Sequence, residues 1–173
     1  MKNTLVIFAH PYFEYSKLNR ELLKVYAGFE HVTFRDLYEE YPDLHVPAFR
    51  ERKRIVDYER LVFHFPLIWF SFPPLLKLWI DEVFDMTWMM EDYHPLTNKD
   101  AMIVVTAGGK QQQYTPEGTY GTTLENLLKP IKISLKVNNI EVTEILTVYN
   151  ADHLSKEETA DVKNQLIHLL NTP

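Results

Sequence analysis

Four of the chain's five glycines fall in the run TAGGKQQQYTPEGTYG, residues 106–121, which opens on Thr106 and carries Gly108 and Gly109 as a pair. Glycine lets a backbone approach a ligand closely and take up positive φ, so this concentration implies a turn whose N–H groups face a bound molecule. Tyr114 and Tyr120 lie six residues apart in the same run and offer phenol groups for hydrogen bonding or proton donation. As isolated tyrosines they also suit half-buried packing positions, and Lys110 with Gln111, Gln112 and Gln113 suits a solvated stretch.

A second group lies in HPYFEYSKLN, His10 to Asn19. Ser16 and Asn19 stand where helical spacing begins. A helix start carries unpaired N–H groups and a positive dipole end, to which serine adds a hydroxyl donor. That is the make-up of a phosphate cradle, and equally of a plain helix cap. His10 follows an apolar run, either as a donor to phosphate or as an ordinary structural histidine. The G-x-G-x-x-G fingerprint is absent and Glu14 is the one acid in the loop. Both a dinucleotide site and an acidic magnesium cluster are therefore disfavoured, and a ligand with a single phosphate fits better.

The third group is FPLIWFSFPP, Phe65 to Pro74, with three prolines. Proline fixes its own φ and biases the preceding residue toward extended geometry, so the expected result is a held backbone presenting Trp69 and Phe70 as flat faces for a planar tricyclic ring. An aromatic run is more often core. Pro66 and Pro73 argue against that, because a core strand does not accept them without an edge position or a bulge.

These groups need elements to hold them. Thr4–Ala9, Leu61–Phe65 and Met102–Thr106 are uninterrupted apolar runs suited to strands covered on both faces, and Val32–Leu37 and Val142–Val148 are more charged strands nearer an edge. Helical spacing appears at Leu18, Leu22, Leu23 and Tyr26, at Leu75, Leu78, Trp79 and Val83, and over Leu124–Leu135 and Lys156–Leu170, with Pro130 expected to start or kink its helix. The alternation predicts one α/β domain over residues 1–173. Its sheet is doubly wound, parallel and five-stranded, in the order 2-1-3-4-5. Ligands then bind outside the carboxyl ends of the strands, where the order reverses. The stretch Met86–Asp100 has no clear element and is expected to be a functional loop.

Composition narrows the function. The absence of cysteine excludes disulfides, thiolate metal sites and a cysteine nucleophile, and suits a reducing cytoplasm. No metal site is expected. A net charge of −6 disfavours nucleic acid, whose nonspecific binding needs clustered lysine and arginine. Residues 1–9 read as a first strand, and the apolar stretch Leu61–Leu76 is broken by His64, Pro66, Pro73 and Pro74, which argues against a membrane span.

Taken together, the motifs resemble the NAD(P)H-quinone reductases of flavodoxin-like fold, which include small bacterial regulators of glutathione-gated potassium efflux. The marks run through nearly the whole chain: His10 and Pro11 with Ser16 and Asn19; Asp36, Leu37 and Tyr38; Pro66 through Phe70 with Pro73, Leu76, Lys77 and Trp79; and Thr106, Gly108, Gly109, Tyr114 and Gly118. The resemblance implies FMN, favoured over FAD because the chain ends soon after its last helix. His10, Ser16, Leu18 and Asn19 would hold the phosphate and ribityl chain. Pro66, Leu67, Ile68, Trp69 and Phe70 would line the ring, and Thr106, Gly108 and Gly109 would complete the site. Ile68 replaces a residue that is commonly polar in the family. Tyr114 and Tyr120 are the candidate catalytic residues, although Tyr120 stands where longer members often carry histidine.

The implied reaction is ping-pong hydride transfer from NADH or NADPH to a quinone-like acceptor. The alternatives are a flavodoxin-type one-electron carrier and a flavin-binding subunit docked peripherally on a potassium efflux transporter. The resemblance also implies a symmetric homodimer, to which the apolar cluster Trp88, Met89 and Met90 would contribute a contact.

Overall fold

An apolar run with no polar face has to be covered on both sides, and the inner strands of the computed structural model are runs of that kind. The structure describes residues 1–84 and 95–172. The strands are β1 (Thr4–Phe8), β2 (Val32–Asp36), β3 (Arg60–Pro66), β4 (Asp100–Thr106) and β5 (Glu141–Val148). They pair in parallel in the expected order, β2-β1-β3-β4-β5. β1, β3 and β4 are buried almost throughout, while the edges β2 and β5 are partly exposed.

Parallel neighbours need crossovers, and helices supply them. These are α1 (Lys17–Tyr26), α2 (Leu37–Glu40), α3 (Ala48–Val56), α4 (Pro74–Val83), α5 (Leu124–Leu127), α6 (Lys129–Val137) and α7 (Lys156–Leu170). Leu22 of α1 and Leu166 of α7 share a core with Val6, Val62 and Met102. On the opposite face, Ile55, Trp79 and Leu135 from α3, α4 and α6 share a core with Leu5, Phe63 and Ile103. Leu5 and Ile7 thus serve one core and Val6 the other, the two-residue period of a strand. Among the described residues no helix is long and apolar enough to cross a membrane.

The sequence reading is adjusted at three places. β4 starts at Asp100, before the apolar run, because Asp100 is neutralised by Arg60 (Nε to Oδ1, 2.7 Å) and Lys2 (2.6 Å). Pro130 is the second residue of α6, where its missing N–H costs nothing, and the expected helix divides into α5 and α6 just before it. α3 had no clear apolar spacing, since it buries only Ile55 and the charged Glu51. Of the loop expected over Met86–Asp100, residues 86–94 lie outside the described residues, and so do Trp88, Met89 and Met90. Residues 95–98 form a turn leading into β4.

Candidate functional site

Parallel strands put all their carboxyl ends on one edge of the sheet, and here the order reverses between β1 and β3. The loops leaving those two strands part company and open a crevice. It is a cleft of about 300 Å³. His10 and Ser16 line it from the β1 loop, Pro66, Leu67 and Ile68 from the end of β3, and Thr106 and Gly108 from the end of β4, with Asn19 behind them. A larger groove of about 830 Å³ lies between α6 and the start of β5, lined by lysines and aliphatic side chains, at the other end of the strands.

The phosphate-cradle chemistry is set by the start of α1. Ser16 is its N-cap, and its Oγ accepts the Asn19 backbone N–H at 3.3 Å. The backbone N–H groups of Lys17 and Leu18 meet no acceptor among the described residues. They lie at the positive end of the ten-residue helix, an arrangement that favours an anion. Leu18's side chain is core, so its N–H is what remains for a ligand. The Asn19 side-chain amide is buried and donates to Ser16 Oγ (2.9 Å) and Thr106 Oγ1 (3.2 Å), tying α1 to β4.

His10 Nδ1 accepts the Tyr12 N–H at 3.2 Å, which leaves Nε2 as the donating nitrogen. Burial pushes its pKa down to about 4 against the pull of the Asp152 carboxylate, so the ring is neutral near pH 7. Asp152 was missed in the sequence. It enters the cleft because β5 runs beside β4: Ala151 N–H donates to Ala107 O (3.0 Å) and Asn150 N–H to Gly109 O (2.9 Å). The available signal was an acid at the carboxyl end of the last strand. Tyr12 and Tyr15, both exposed at the rim, were missed as well.

Trp69 and Phe70 sit beside the cleft lining. Ile68 and Ser71 exchange two backbone hydrogen bonds, at 2.8 and 3.0 Å, around Trp69 and Phe70, whose φ values are +46° and +65°. This is the two-residue turn with both central φ values positive, a conformation normally given to asparagine and glycine. Large side chains there cost about 1–3 kcal/mol each. The turn, more than the prolines, therefore aims the two rings. Trp69 is 90% exposed, and Phe70 packs edge-on against Tyr120.

In the glycine loop, Gly108 and Gly109 do not take positive φ; among the described glycines only Gly121 does. Close approach explains Gly109, since a Cβ there would lie 2.9 Å from the Tyr114 ring and 3.1 Å from the Tyr120 hydroxyl. Tyr114 is buried between Tyr120 and Tyr149, with ring centroids at 4.8 and 5.5 Å. Burial first, and then Tyr120, push its phenol pKa up, so it remains a donor. Among the described residues no group of three or more acidic, histidine or cysteine side chains converges in a way that would hold a metal ion.

A family model described as flavodoxin-like fold matches residues 2–170. The chain belongs to the flavodoxin-like fold family. It is 32% identical over 169 residues to an uncharacterised NAD(P)H oxidoreductase of Bacillus subtilis, YrkL, covering 97% of this chain and 95% of that one. It is 30% identical over 170 residues to the glutathione-regulated potassium-efflux system ancillary protein KefG of Yersinia pestis, covering 98% and 93%. The crystal structure of general stress protein 14 from Treponema denticola, in complex with FMN, superposes with a TM-score of 0.85 at 26% identity, covering 97% and 95%. In this member of the flavodoxin-like family the cleft lies at the strand-order reversal, where the fold leads one to look for it.

Proposed function

We propose that the cleft binds FMN and that the protein is an oxidoreductase carrying hydride from NADH or NADPH to a quinone-like acceptor by a ping-pong mechanism. The observation that carries this reading is one continuous surface. Ser16, the cap of a helix start whose Lys17 and Leu18 N–H groups meet no acceptor among the described residues, lines the same cleft as the apolar wall Pro66–Ile68, Thr106 and Gly108. Such a surface suits a ligand with one phosphate at one end and a flat ring at the other. The FMN complex of the Treponema relative and the naming of the Bacillus relative support it.

FMN, when bound, supplies the two-electron carrier that no side chain provides. Ser16, Thr106 and the start of α1 would hold the phosphate, and His10 Nε2–H would donate to a phosphate or ribityl oxygen. Pro66, Leu67 and Ile68 would keep water from the ring, with Trp69 and Phe70 beside it. The glycine-loop N–H groups would favour negative charge on the ligand. Tyr114 and Tyr120 would donate hydrogen bonds to the acceptor oxygen. The acceptor would take the place vacated by the nicotinamide.

The absorption spectrum of the purified protein, followed by NADH- and NADPH-driven quinone reduction, tests the proposal. Flavin bands with parallel initial-rate patterns support it, and a colourless protein that takes up no FMN overturns it. Bound flavin without nicotinamide-driven turnover would favour the one-electron carrier. A second reading draws on the ancillary relative and on the exposed Trp69 at the cleft rim: the chain docks on a membrane transporter as a flavin-bearing subunit. A symmetric homodimer closing the cleft belongs to the main proposal, and sedimentation of the active protein tests it.

A further inference from the structure

The cleft is backed by a chain of buried polar groups that runs from the core to Ser16 and Thr106 at its lining. Tyr26 on α1 meets His64 on β3, with the hydroxyl 2.9 Å from Nδ1. His64 Nε2 lies 2.8 Å from Asn19 Oδ1, and Asn19 Nδ2 reaches Ser16 Oγ and Thr106 Oγ1. Tyr26, His64 and Asn19 are at most 1% exposed, so each hydrogen must find a partner within the protein.

That requirement fixes the direction of every bond. Burial pushes the Tyr26 phenol far above its usual range and the His64 imidazole down to about 3, so tyrosine keeps its proton and histidine carries only one. The Tyr26 hydroxyl therefore donates to Nδ1, and Nε2–H donates to Asn19 Oδ1. The Asn19 amide then has its NH₂ facing the two hydroxyls. The reverse orientation would put two donors face to face at Nε2, or move the ring proton to Nδ1 against the tyrosine hydroxyl. Ser16 Oγ already accepts both the Asn19 backbone N–H and its side-chain N–H, so both lone pairs are occupied. Its own proton has to leave toward the cleft. Thr106 Oγ1 is likewise an acceptor on its inner side.

We infer that His64 and Tyr26 are positioning residues, which hold the Asn19 amide in one orientation and thereby present the Ser16 and Thr106 hydroxyls as donors to the anionic end of the ligand. The inference rests on the reading of the cleft as a flavin phosphate site. Removing the His64 donor leaves Asn19 Oδ1 unpaired and frees the amide to turn. An inverted amide would accept from the two hydroxyls and draw their protons away from the ligand.

The test is fluorescence titration of the full-length protein with FMN and with riboflavin, which lacks the phosphate. Wild type should prefer FMN. His64→Leu should weaken FMN by about tenfold or more, as expected for losing hydrogen bonds to a charged group, while changing riboflavin little. His64→Gln, whose amide can donate to Asn19 in place of Nε2, should restore the preference. If His64→Leu does not fold, Tyr26→Phe carries the test, with a smaller loss of FMN over riboflavin. An unchanged preference in these variants, or parallel loss of both ligands, overturns the positioning role. Failure of the wild type to bind either flavin overturns the reading of the cleft and this inference with it.

Discussion

The Phe70 and Tyr120 rings meet edge to face with centroids 4.9 Å apart, joining the turn after β3 to the glycine loop after β4. One residue of the pair has a backbone φ of +65°, so the contact helps to hold an unfavourable conformation. Trp69, its neighbour in the turn, has no such repayment, for it is 90% exposed at φ +46°. Strain kept without packing reward is a mark of a working position.

Stability and function should therefore move in opposite directions at Trp69. Trp69→Asn places a residue that tolerates positive φ at the same point, and the apoprotein should be unchanged or up to about 1 kcal/mol more stable. The proposed nicotinamide-driven turnover should fall. Urea denaturation alongside steady-state assays checks both, and a variant that is less stable yet fully active would remove the turn from the site.

Glu51 is the most heavily bonded carboxylate among the described residues. It accepts from Arg35 at 2.7 Å through both oxygens, from the Tyr41 hydroxyl at 2.7 Å, from Trp79 Nε1 at 2.8 Å and from Arg54. It is 1% exposed, so Glu51→Ala leaves several buried donors unpaired and should cost about 3–5 kcal/mol. Chemical denaturation reads this directly. Neither Glu51 nor its partners line the cleft, and any folded fraction should keep wild-type FMN affinity.

Glu51 also shows where the sequence stops being legible. The apolar inner strands, their order and the Ser16 cap follow from periodicity and capping rules. α3 does not, because what it buries is a charge whose partners come from α4, β2 and the segment after α2. His64 was read within an apolar strand for a similar reason: its partners Tyr26 and Asn19 lie 38 and 45 residues away. The positive φ values of Trp69 and Phe70 were hidden because such geometry is inferred from glycine and asparagine, and neither is present. Asp152 reaches the cleft only through the pairing of β5 with β4.

Two histidines make the apoprotein sensitive to acid. Burial lowers His10 to about 4 and His64 to about 3, from 6.5. Below pH 6.5 the unfolded chain takes up protons that the folded chain refuses, so stability is full above pH 6.5 and is lost as pH falls toward the folded values. Between pH 6.5 and 5 each group should cost about 1.5 kcal/mol. Asp36, whose carboxyl is pushed up by burial, opposes this weakly. Denaturant midpoints across that range should fall steadily, and His64→Gln should flatten the slope. An equal slope in the variant would refute His64 as a source.

The tyrosine pair allows catalysis and packing to be separated. Tyr114 is buried, with its ring against Tyr120 and Tyr149 and beside the point where Gly109 lacks a side chain, whereas Tyr120 is partly exposed and also touches Phe70. Phenylalanine preserves those ring contacts and removes only the phenol oxygen. If either hydroxyl donates to the acceptor, its phenylalanine variant should retain FMN and accept hydride from NADH or NADPH at the normal rate. The oxidative half-reaction should then slow by about 10²-fold or more, the usual lower range for a positioned acid. Stopped-flow absorbance resolves the two half-reactions. Tyr120→Phe should show the larger effect, because its phenol is the more open of the two to an incoming acceptor. Normal rates in both single variants and in the double variant would leave the tyrosines with packing alone.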